Sequence, residues 1–352
     1  MEPIDLRSDT VTKPTEEMRS AMYRADVGDD GWLRADGKGE DPTVNELERL
    51  AAKTLGKEDA LLVPSGTMGN LLALMTYCSR GDEVAVGQHA HIYRREKAGF
   101  TDGLLALRAL EVPDPMGIPD LSALRTHLQS RRPRVFCMEN THNYAGGTVV
   151  GREAMLALAD AAHSHGVQVH LDGARIFNAS VALGADARSL VGAVDSVMFC
   201  LSKGLSAPVG SMLVGSTGFI QSARAHRKVI GGQLRQAGVF AAAGIVALNQ
   251  MVTRLEEDHR KARQLAERLV RGGALPIDLA TVQTNIVKIN VSSTGLTAKS
   301  FQQEMRSRAV LVHVMSDYEI RLVTHKDVGL DRVLQAADLI NLFASSPAAN
   351  RS

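Results

Sequence analysis

Cysteine is scarce in this chain, and so is any excess of charge. Three cysteines, Cys78, Cys137 and Cys200, lie far apart in apolar surroundings and are odd in number. That argues against a disulfide framework or a zinc site and for reduced core thiols in a reducing cytosol. Lys+Arg 40 against Asp+Glu 39 leaves a formal net charge of +1, so no electrostatic field favours nucleic acid or an anionic membrane, and small molecules are the default partners. Long apolar runs are also missing. The most apolar, Ala237–Leu248, falls short of the ~20 residues of a membrane span. The start, Met1-Glu2-Pro3-Ile4-Asp5-Leu6-Arg7-Ser8, has no basic segment followed by an apolar one. Neither export nor membrane anchoring is expected, and the expected location is cytoplasmic. Internal repeats and low-complexity segments are absent too.

With 352 residues the chain can bury a large core, and at about 150 residues per domain the expectation is two domains. Short apolar runs alternate with helix-period stretches. Ala60–Val63, Glu83–Val86, Val135–Met138, Val167–Leu171, Ser196–Leu201 and Gly210–Val214 read as strands. Thr43–Leu55, Thr67–Cys78, Arg152–His165 and Leu183–Gly192 read as helices, and Asp41-Pro42 marks the start of the first. This pattern predicts an α/β fold with a mainly parallel sheet covered by helices on both faces. Beyond Arg235, Ala237–Leu248 reads as a buried helix and Arg254–Arg271, charged at nearly every turn, as a solvated linking helix. Strand-like runs Asn285–Val291, Val310–Met315 and Glu319–Val323 and helical runs Thr297–Arg308 and Leu330–Phe343 predict a smaller α+β domain. The division is residues 1–250, with an N-terminal arm, and 251–352.

Chemistry concentrates at predicted strand ends. Lys203 follows the apolar run Val197–Leu201 and precedes a Gly/Pro-rich turn. A lysine there either finds a partner or loses basicity by desolvation, and a desolvated lysine is the usual Schiff-base nucleophile. Asp172 ends the strand Val167–Leu171, with Arg175 three residues on, at the sheet edge where open parallel sheets bind ligands. A lysine to hold an aldehyde and a buried carboxylate to keep a pyridine nitrogen protonated form the pair that a pyridoxal phosphate site requires. Val63-Pro64-Ser65-Gly66-Thr67 is a strand, a small-residue turn and a helix start, suited to phosphate through backbone N–H groups and hydroxyls; Ser and Thr there are equally ordinary helix caps. His91 and His142 both follow predicted strands, making one or both candidate bases near neutral pH. Arg321 emerges from an apolar strand, where a paired or ligand-binding guanidinium is expected.

Taken together these segments resemble the low-specificity L-threonine aldolases, pyridoxal phosphate enzymes of fold type I related to the β-eliminating lyases. The resemblance spans most of the chain. It rests on Asp5-Leu6-Arg7-Ser8-Asp9-Thr10, Val27-Gly28-Asp29-Asp30, Glu40-Asp41-Pro42-Thr43, Ser65-Gly66-Thr67, Glu139-Asn140-Thr141-His142, Asp172-Gly173-Ala174-Arg175, Leu201-Ser202-Lys203-Gly204, Arg235-Gln236 and Arg321-Leu322-Val323-Thr324-His325, in that order. It implies an aspartate aminotransferase-like fold with a seven-stranded-type sheet. It implies pyridoxal 5'-phosphate held covalently by Lys203, with Asp172 on the ring nitrogen, Arg175 near the ring hydroxyl and His91 stacked on the ring. Ser65, Gly66 and Thr67 take the phosphate, with Lys228 and Arg235 adding positive charge, partly across a subunit boundary. Ser8 and Arg321 take the substrate carboxylate, and His142 faces the β-hydroxyl. No metal is expected.

The implied activity is retro-aldol cleavage of L-threonine, L-allo-threonine and related L-β-hydroxy-α-amino acids to glycine and an aldehyde, in a homo-oligomer, dimer or tetramer, with shared sites. The alternatives are β-elimination or racemisation on the same scaffold, or a non-catalytic cofactor-binding assembly protein. Two segments depart from the family. Gly31–Gly39 carries nine residues, with the chain's only tryptophan, Trp32, where about three are usual. Tyr93-Arg94-Arg95-Glu96-Lys97-Ala98-Gly99 carries charges where an aromatic residue and Gly-Gly are common. Both are expected to bear on the pocket for the substrate's β-side.

Overall fold

The computed structural model describes residues 2–346. Its main sheet has seven strands: β1 Asp59–Val63, β2 Glu83–Gly87, β3 Arg108–Val112, β4 Val135–Glu139, β5 Gln168–Asp172, β6 Ser196–Cys200 and β7 Ser211–Gly215. The spatial order is β1-β7-β6-β5-β4-β2-β3, parallel except for β7, which runs antiparallel to both neighbours. Helices cover both faces, so β4 and β6 are buried at every residue. That is why their sequences, VFCME and SVMFC, show no polar alternation. The exception is β3, which the sequence did not reveal: Arg-Ala-Leu-Glu-Val pairs only with β2 at the sheet edge and leaves its polar side chains in solvent.

Local chemistry sets the helix ends. Asp41 Oδ1 accepts from the Val44 N–H at 2.9 Å ahead of Pro42 in the helix Pro42–Leu55, and Gly56 closes it in the left-handed region at φ 66°. The single helix expected over Leu183–Gly192 is instead two, Ile176–Leu183 and Ala187–Val191. Gly184, at φ 58°, terminates the first, and Asp186 caps the second.

The C-terminal unit holds a three-stranded antiparallel sheet, β8 Ile286–Asn290, β9 His313–Val314 and β10 Glu319–Val323, in the order β9-β10-β8. The strand expected over Val310–Met315 is divided. Val310–Leu311 pairs in parallel with Ile4–Asp5, while β9 pairs with β10. Ile4 and Leu6 therefore lie in the C-terminal core with Phe301, Ile320 and Ile340, and the N-terminal arm is drawn over the large sheet's edge. The charged run expected as a solvated linker is the helix Leu255–Gly272, and one face of it belongs to that core through Leu265, Ala266 and Leu269. Even Lys261 on it is 2% exposed, neutralised by Glu257 at 2.8 Å. Its apolar residues recur at helical spacing and outweigh the dense charge of the other face. The three cysteines are buried free thiols. Among the described residues no single helix is long and apolar enough to cross a membrane.

Candidate functional site

The C-terminal ends of β4, β5 and β6 and the strand β10 converge with the N-terminal arm on a cavity of about 280 Å³. It is lined by Ser8, Thr10, His91, Arg95, Glu139, Thr141, Asn143, Asp172, Ala174, Arg175, Lys203, His313, Met315 and Arg321. Parallel strands leave their carbonyl ends and the following loops at this edge, so ligand-binding side chains collect there.

Asp172 is 2% exposed. Its Oδ1 accepts from the Ala174 N–H at 3.1 Å and its Oδ2 from Asn70 Nδ2 at 3.0 Å. Burial, with the neighbouring Glu96 carboxylate, raises its pKa, opposed by the charges of His91 and Lys203. A buried anion in that state favours a cationic partner. Asn70 is fixed from behind: its Oδ1 lies 3.0 Å from His170 Nε2, and His170 Nδ1 lies 2.8 Å from the Ser196 hydroxyl. Burial lowers the His170 pKa to about 3, so the ring is neutral. With Nε2–H donating to Asn70 and Nδ1 accepting from Ser196, the Asn70 amide must turn its NH2 toward Asp172.

His91 lines the same wall. Its N–H donates to Glu139 Oε2 at 2.6 Å, and its Nδ1 lies 3.1 Å from Glu96 Oε1. Burial opposes the charged imidazole, but the hydrogen bond to Glu96 and the charges of Asp172 and Glu139 outweigh it and raise the pKa. Glu139 also accepts from the Asn143 N–H at 2.8 Å. One carboxylate thus fixes two cavity-wall segments.

On the far side Arg175 Nε and Nη2 donate to Asp9 Oδ2 and Oδ1 at 2.8 and 2.7 Å. Asp9 is 0% exposed; burial alone raises its pKa, yet the charge and hydrogen bonds of Arg175 hold the carboxyl well below the usual range. Arg321 is 7% exposed and has no carboxylate partner among the described residues: Nη1 donates to Asn143 Oδ1 at 2.6 Å, Nη2 to the Arg7 carbonyl at 3.3 Å, and Nε to nothing. Burial, helped by Arg175 and Arg95, lowers its pKa to about 10. The guanidinium remains charged and short of an anion, which suits it to a carboxylate.

Of the residues singled out in the sequence, Lys203, Asp172, Arg175, His91, Ser8 and Arg321 meet at this cavity. His142 is not among its lining residues. It is packed behind Glu139, with Nε2 3.3 Å from Asp114 and 3.9 Å from Glu139 and Nδ1 accepting from the Ala145 N–H at 3.2 Å, and it faces a separate cleft of about 630 Å³ beside Tyr144 and Lys288. Burial opposes its charge, but Glu139 and Asp114 raise its pKa. Ser65 caps the helix Gly66–Tyr77 by accepting from the Met68 N–H at 3.2 Å; Ser65 and Thr67 face solvent at that N-terminus. Gly66 sits over the end of β6, where a β-carbon would fall 3.0 Å from Cys200 Sγ. Lys228 and Arg235 are exposed away from the cavity within one chain, Arg235 pairing with Asp29 at 3.1 Å. The Gly31–Gly39 segment forms a small surface turn, with Leu33 bridged to Gly39, and contributes nothing to the cavity lining. The other departure does: Arg95 is in the wall.

Sequence reasoning missed Asn70, Glu96, Glu139, Asn143, His170 and Asp9. Asp9, Glu139 and Asn143 had a signal, being polar residues within or beside the segments already marked. Asn70 and His170 read as unremarkable helix and strand positions.

Residues 5–292 match the family model described as beta-eliminating lyase. The chain is 42% identical over 346 residues to low-specificity L-threonine aldolase 1 of Arabidopsis thaliana, spanning 93% of this chain and 92% of that one. It is 40% identical over 339 residues to the low specificity L-threonine aldolase of Escherichia coli K12, spanning 95% and 97%. The fold is similar to the threonine aldolase of Leishmania major, with a TM-score of 0.79 at 17% identity over 97% of this chain and 100% of that one.

Proposed function

Because this chain belongs to the beta-eliminating lyase family, we propose that it cleaves L-threonine, L-allo-threonine and related L-β-hydroxy-α-amino acids to glycine and an aldehyde, with pyridoxal 5'-phosphate as cofactor. The observation that carries the reading is one cavity uniting the Lys203 amine, the buried Asp172 carboxylate and the Arg321 guanidinium that lacks an anion.

The residues present fit that cofactor. Lys203 is the one lysine in the cavity wall, Asp172 is a desolvated anion suited to a protonated ring nitrogen, and Arg175 keeps Nη1 free of Asp9. The exposed helix start at Ser65–Thr67 suits a phosphate. When bound, the cofactor supplies an electron sink for the pair released at Cα.

The remaining work falls to side chains. Arg321, steadied by Asn143 and the Arg7 carbonyl, binds the α-carboxylate with Ser8 and turns the amino acid so that the Cα–Cβ bond is the one aligned to break. Asp9 holds Arg175 in place, and Asn70, locked by His170, holds Asp172. The β-hydroxyl proton leaves to a base; His91 borders the cavity, whereas His142 lies behind Glu139, 3.9 Å from its carboxylate. We assign cofactor binding to residues 1–250 and the carboxylate clamp to 251–352, and keep the cytoplasmic location on the ground of the buried free thiols. We also infer a homo-oligomer whose partner covers the exposed Ser65–Thr67 edge; Trp32, 66% exposed, and Tyr23, 91% exposed, supply apolar contact surface.

The test is glycine release by cofactor-loaded protein from L-threonine, L-allo-threonine and phenylserine. Glycine from at least one of them supports the reading. A 2-oxo acid or a D-amino acid without glycine replaces it with elimination or racemisation, and no turnover of any of the three removes it.

A further inference from the structure

The turn that follows His91 spends its charges unevenly. Ile92–Glu96 forms a π-helical turn that sends two adjacent arginines in different directions. Arg94 faces outward, where its Nε donates to the Gln88 carbonyl at 2.6 Å, its Nη2 meets Glu111 at 2.7 Å and its guanidinium lies over the Tyr93 ring. Glu96 faces inward and is taken up by Asn70 and His91. Arg95 alone is left without a counter-ion among the described residues. Exposed at the cavity rim, it lies toward the segment between β9 and β10, and its one hydrogen bond is to the Met315 carbonyl at 3.3 Å.

The other cations of the lining have partners of their own: Asp9 matches Arg175, and on the reading above the substrate's α-carboxylate matches Arg321 and the cofactor ring matches Asp172. Arg95 is the guanidinium still unmatched, and it stands on the same wall as His313 and Arg321. Its charge also depresses the pKa of both neighbours, after burial and after Arg321 for His313 and after burial and Arg175 for Arg321. A methyl or phenyl β-substituent leaves that guanidinium facing an apolar group, whereas an anionic one gives it a direct charge-assisted partner; Glu139, the remaining carboxylate of the lining, is taken up by the His91 and Asn143 N–H groups.

Resting on the aldolase reading, we propose that Arg95 is a specificity residue and that the preferred substrates are β-hydroxy-α-amino acids whose β-carbon bears a carboxylate, of which β-hydroxyaspartate is the simplest. Its cleavage gives one glycine and one glyoxylate, which together hold every atom of the substrate. The β-hydroxyl O–H and the Cα–Cβ bond break, the aldehyde C=O forms, and a proton is delivered to Cα; no oxidant or reductant is required.

Two measurements test it. In the first, kcat/KM for glycine release is compared for L-β-hydroxyaspartate and L-threonine in the starting protein and in Arg95→Leu and Arg95→Gln. The expected ratio favours the dicarboxylic substrate and falls roughly ten- to hundredfold in both variants, the scale of a lost charge-assisted hydrogen bond. If both substrates lose by the same factor, Arg95 serves the shared α-carboxylate and the proposal is overturned; a ratio that does not move overturns it as well. In the second, L-aspartate and L-2-aminobutyrate, which have no β-hydroxyl to cleave, are titrated into the cofactor-loaded protein. Tighter binding of aspartate that Arg95→Leu abolishes supports the anion subsite, and equal binding contradicts it. If no β-hydroxy amino acid yields glycine the aldolase reading fails, while the aspartate titration still decides the subsite. Arg95→Lys retains the charge and is expected to keep part of the aspartate preference, which a merely structural role for the arginine does not predict.

Discussion

Asp9→Asn isolates the ion pair on which the cavity's cationic wall depends. The substitution keeps the side chain's shape but removes the anion, 0% exposed, that accepts from Arg175 at 2.7 and 2.8 Å and from Asn285 Nδ2 at 3.3 Å. A buried guanidinium without its partner destabilises the fold by about 3–5 kcal/mol. Two hydrogen bonds to a charged group, at about 1.5–3 kcal/mol each, bracket the same figure. The folded-to-unfolded ratio of the cofactor-free protein is therefore expected to drop by roughly two to four powers of ten, measured as the gap between urea unfolding curves of the two proteins. The pH dependence has a definite sign. Burial raises the Asp9 pKa, but Arg175 outweighs it and holds the folded carboxyl well below the usual range. The contribution is thus fully present above the unfolded value near 4 and lost only as pH falls through the lower folded value. The gap is accordingly constant from pH 8 to pH 5. A gap under about 1 kcal/mol, or one that shrinks by half across that range, would show that Asp9 is not the anion holding Arg175. Replacing both partners, Asp9→Leu with Arg175→Met, is expected to recover much of the loss, because no charge is then left stranded.

Lys203→Ala should abolish glycine release and the yellow absorbance of lysine-bound cofactor; persistent colour with full turnover sinks the assignment of Lys203. Asn70→Leu leaves Asp172 Oδ2 and the His170 donor without partners. It is expected to lower stability by about 2–4 kcal/mol and to weaken cofactor binding in a spectroscopic titration, and unchanged cofactor affinity would show that Asp172 needs no such support. His170 is neutral in the fold, its pKa lowered by burial to about 3, so below the unfolded value near 6.5 the unfolded chain binds the extra proton and stability falls with pH. His170→Phe should remove about 1.4 kcal/mol per pH unit from the slope of urea-derived stability between pH 6 and pH 4; parallel slopes for the two proteins contradict a buried neutral ring.

Much of this architecture was legible because strands buried on both faces must be apolar throughout. The apolar runs Val135–Met138, Val167–Leu171 and Ser196–Leu201 read directly as β4, β5 and β6, with ends within a residue of those observed, and the residues just past their C-terminal ends had to meet at one edge. What escaped the sequence did so for physical reasons. Edge strand β3 needs only one neighbour and carries Arg108 and Glu111 like any surface segment. The break at Gly184 and the division of Val310–Met315 between two partners are decided by backbone geometry and pairing. Asn70 and His170 gain their meaning from a contact 100 residues apart in the chain. His142 and Arg95 exchange importance for a similar reason: the loop after β4 turns His142 back toward Asp114, while the turn after His91 swings Arg95 into the cavity.

On the proposed function the Lys203–Asp172–Arg321 cavity breaks the Cα–Cβ bond of a β-hydroxy amino acid. The most direct test is product stoichiometry, with glycine and aldehyde quantified together from one reaction of cofactor-loaded protein on L-allo-threonine, beside the same protein carrying Arg321→Leu. Glycine and acetaldehyde are expected in equal amounts, with a sharply raised KM in the variant. Consumption of the amino acid without equimolar glycine, or a KM indifferent to Arg321, would contradict the proposed function.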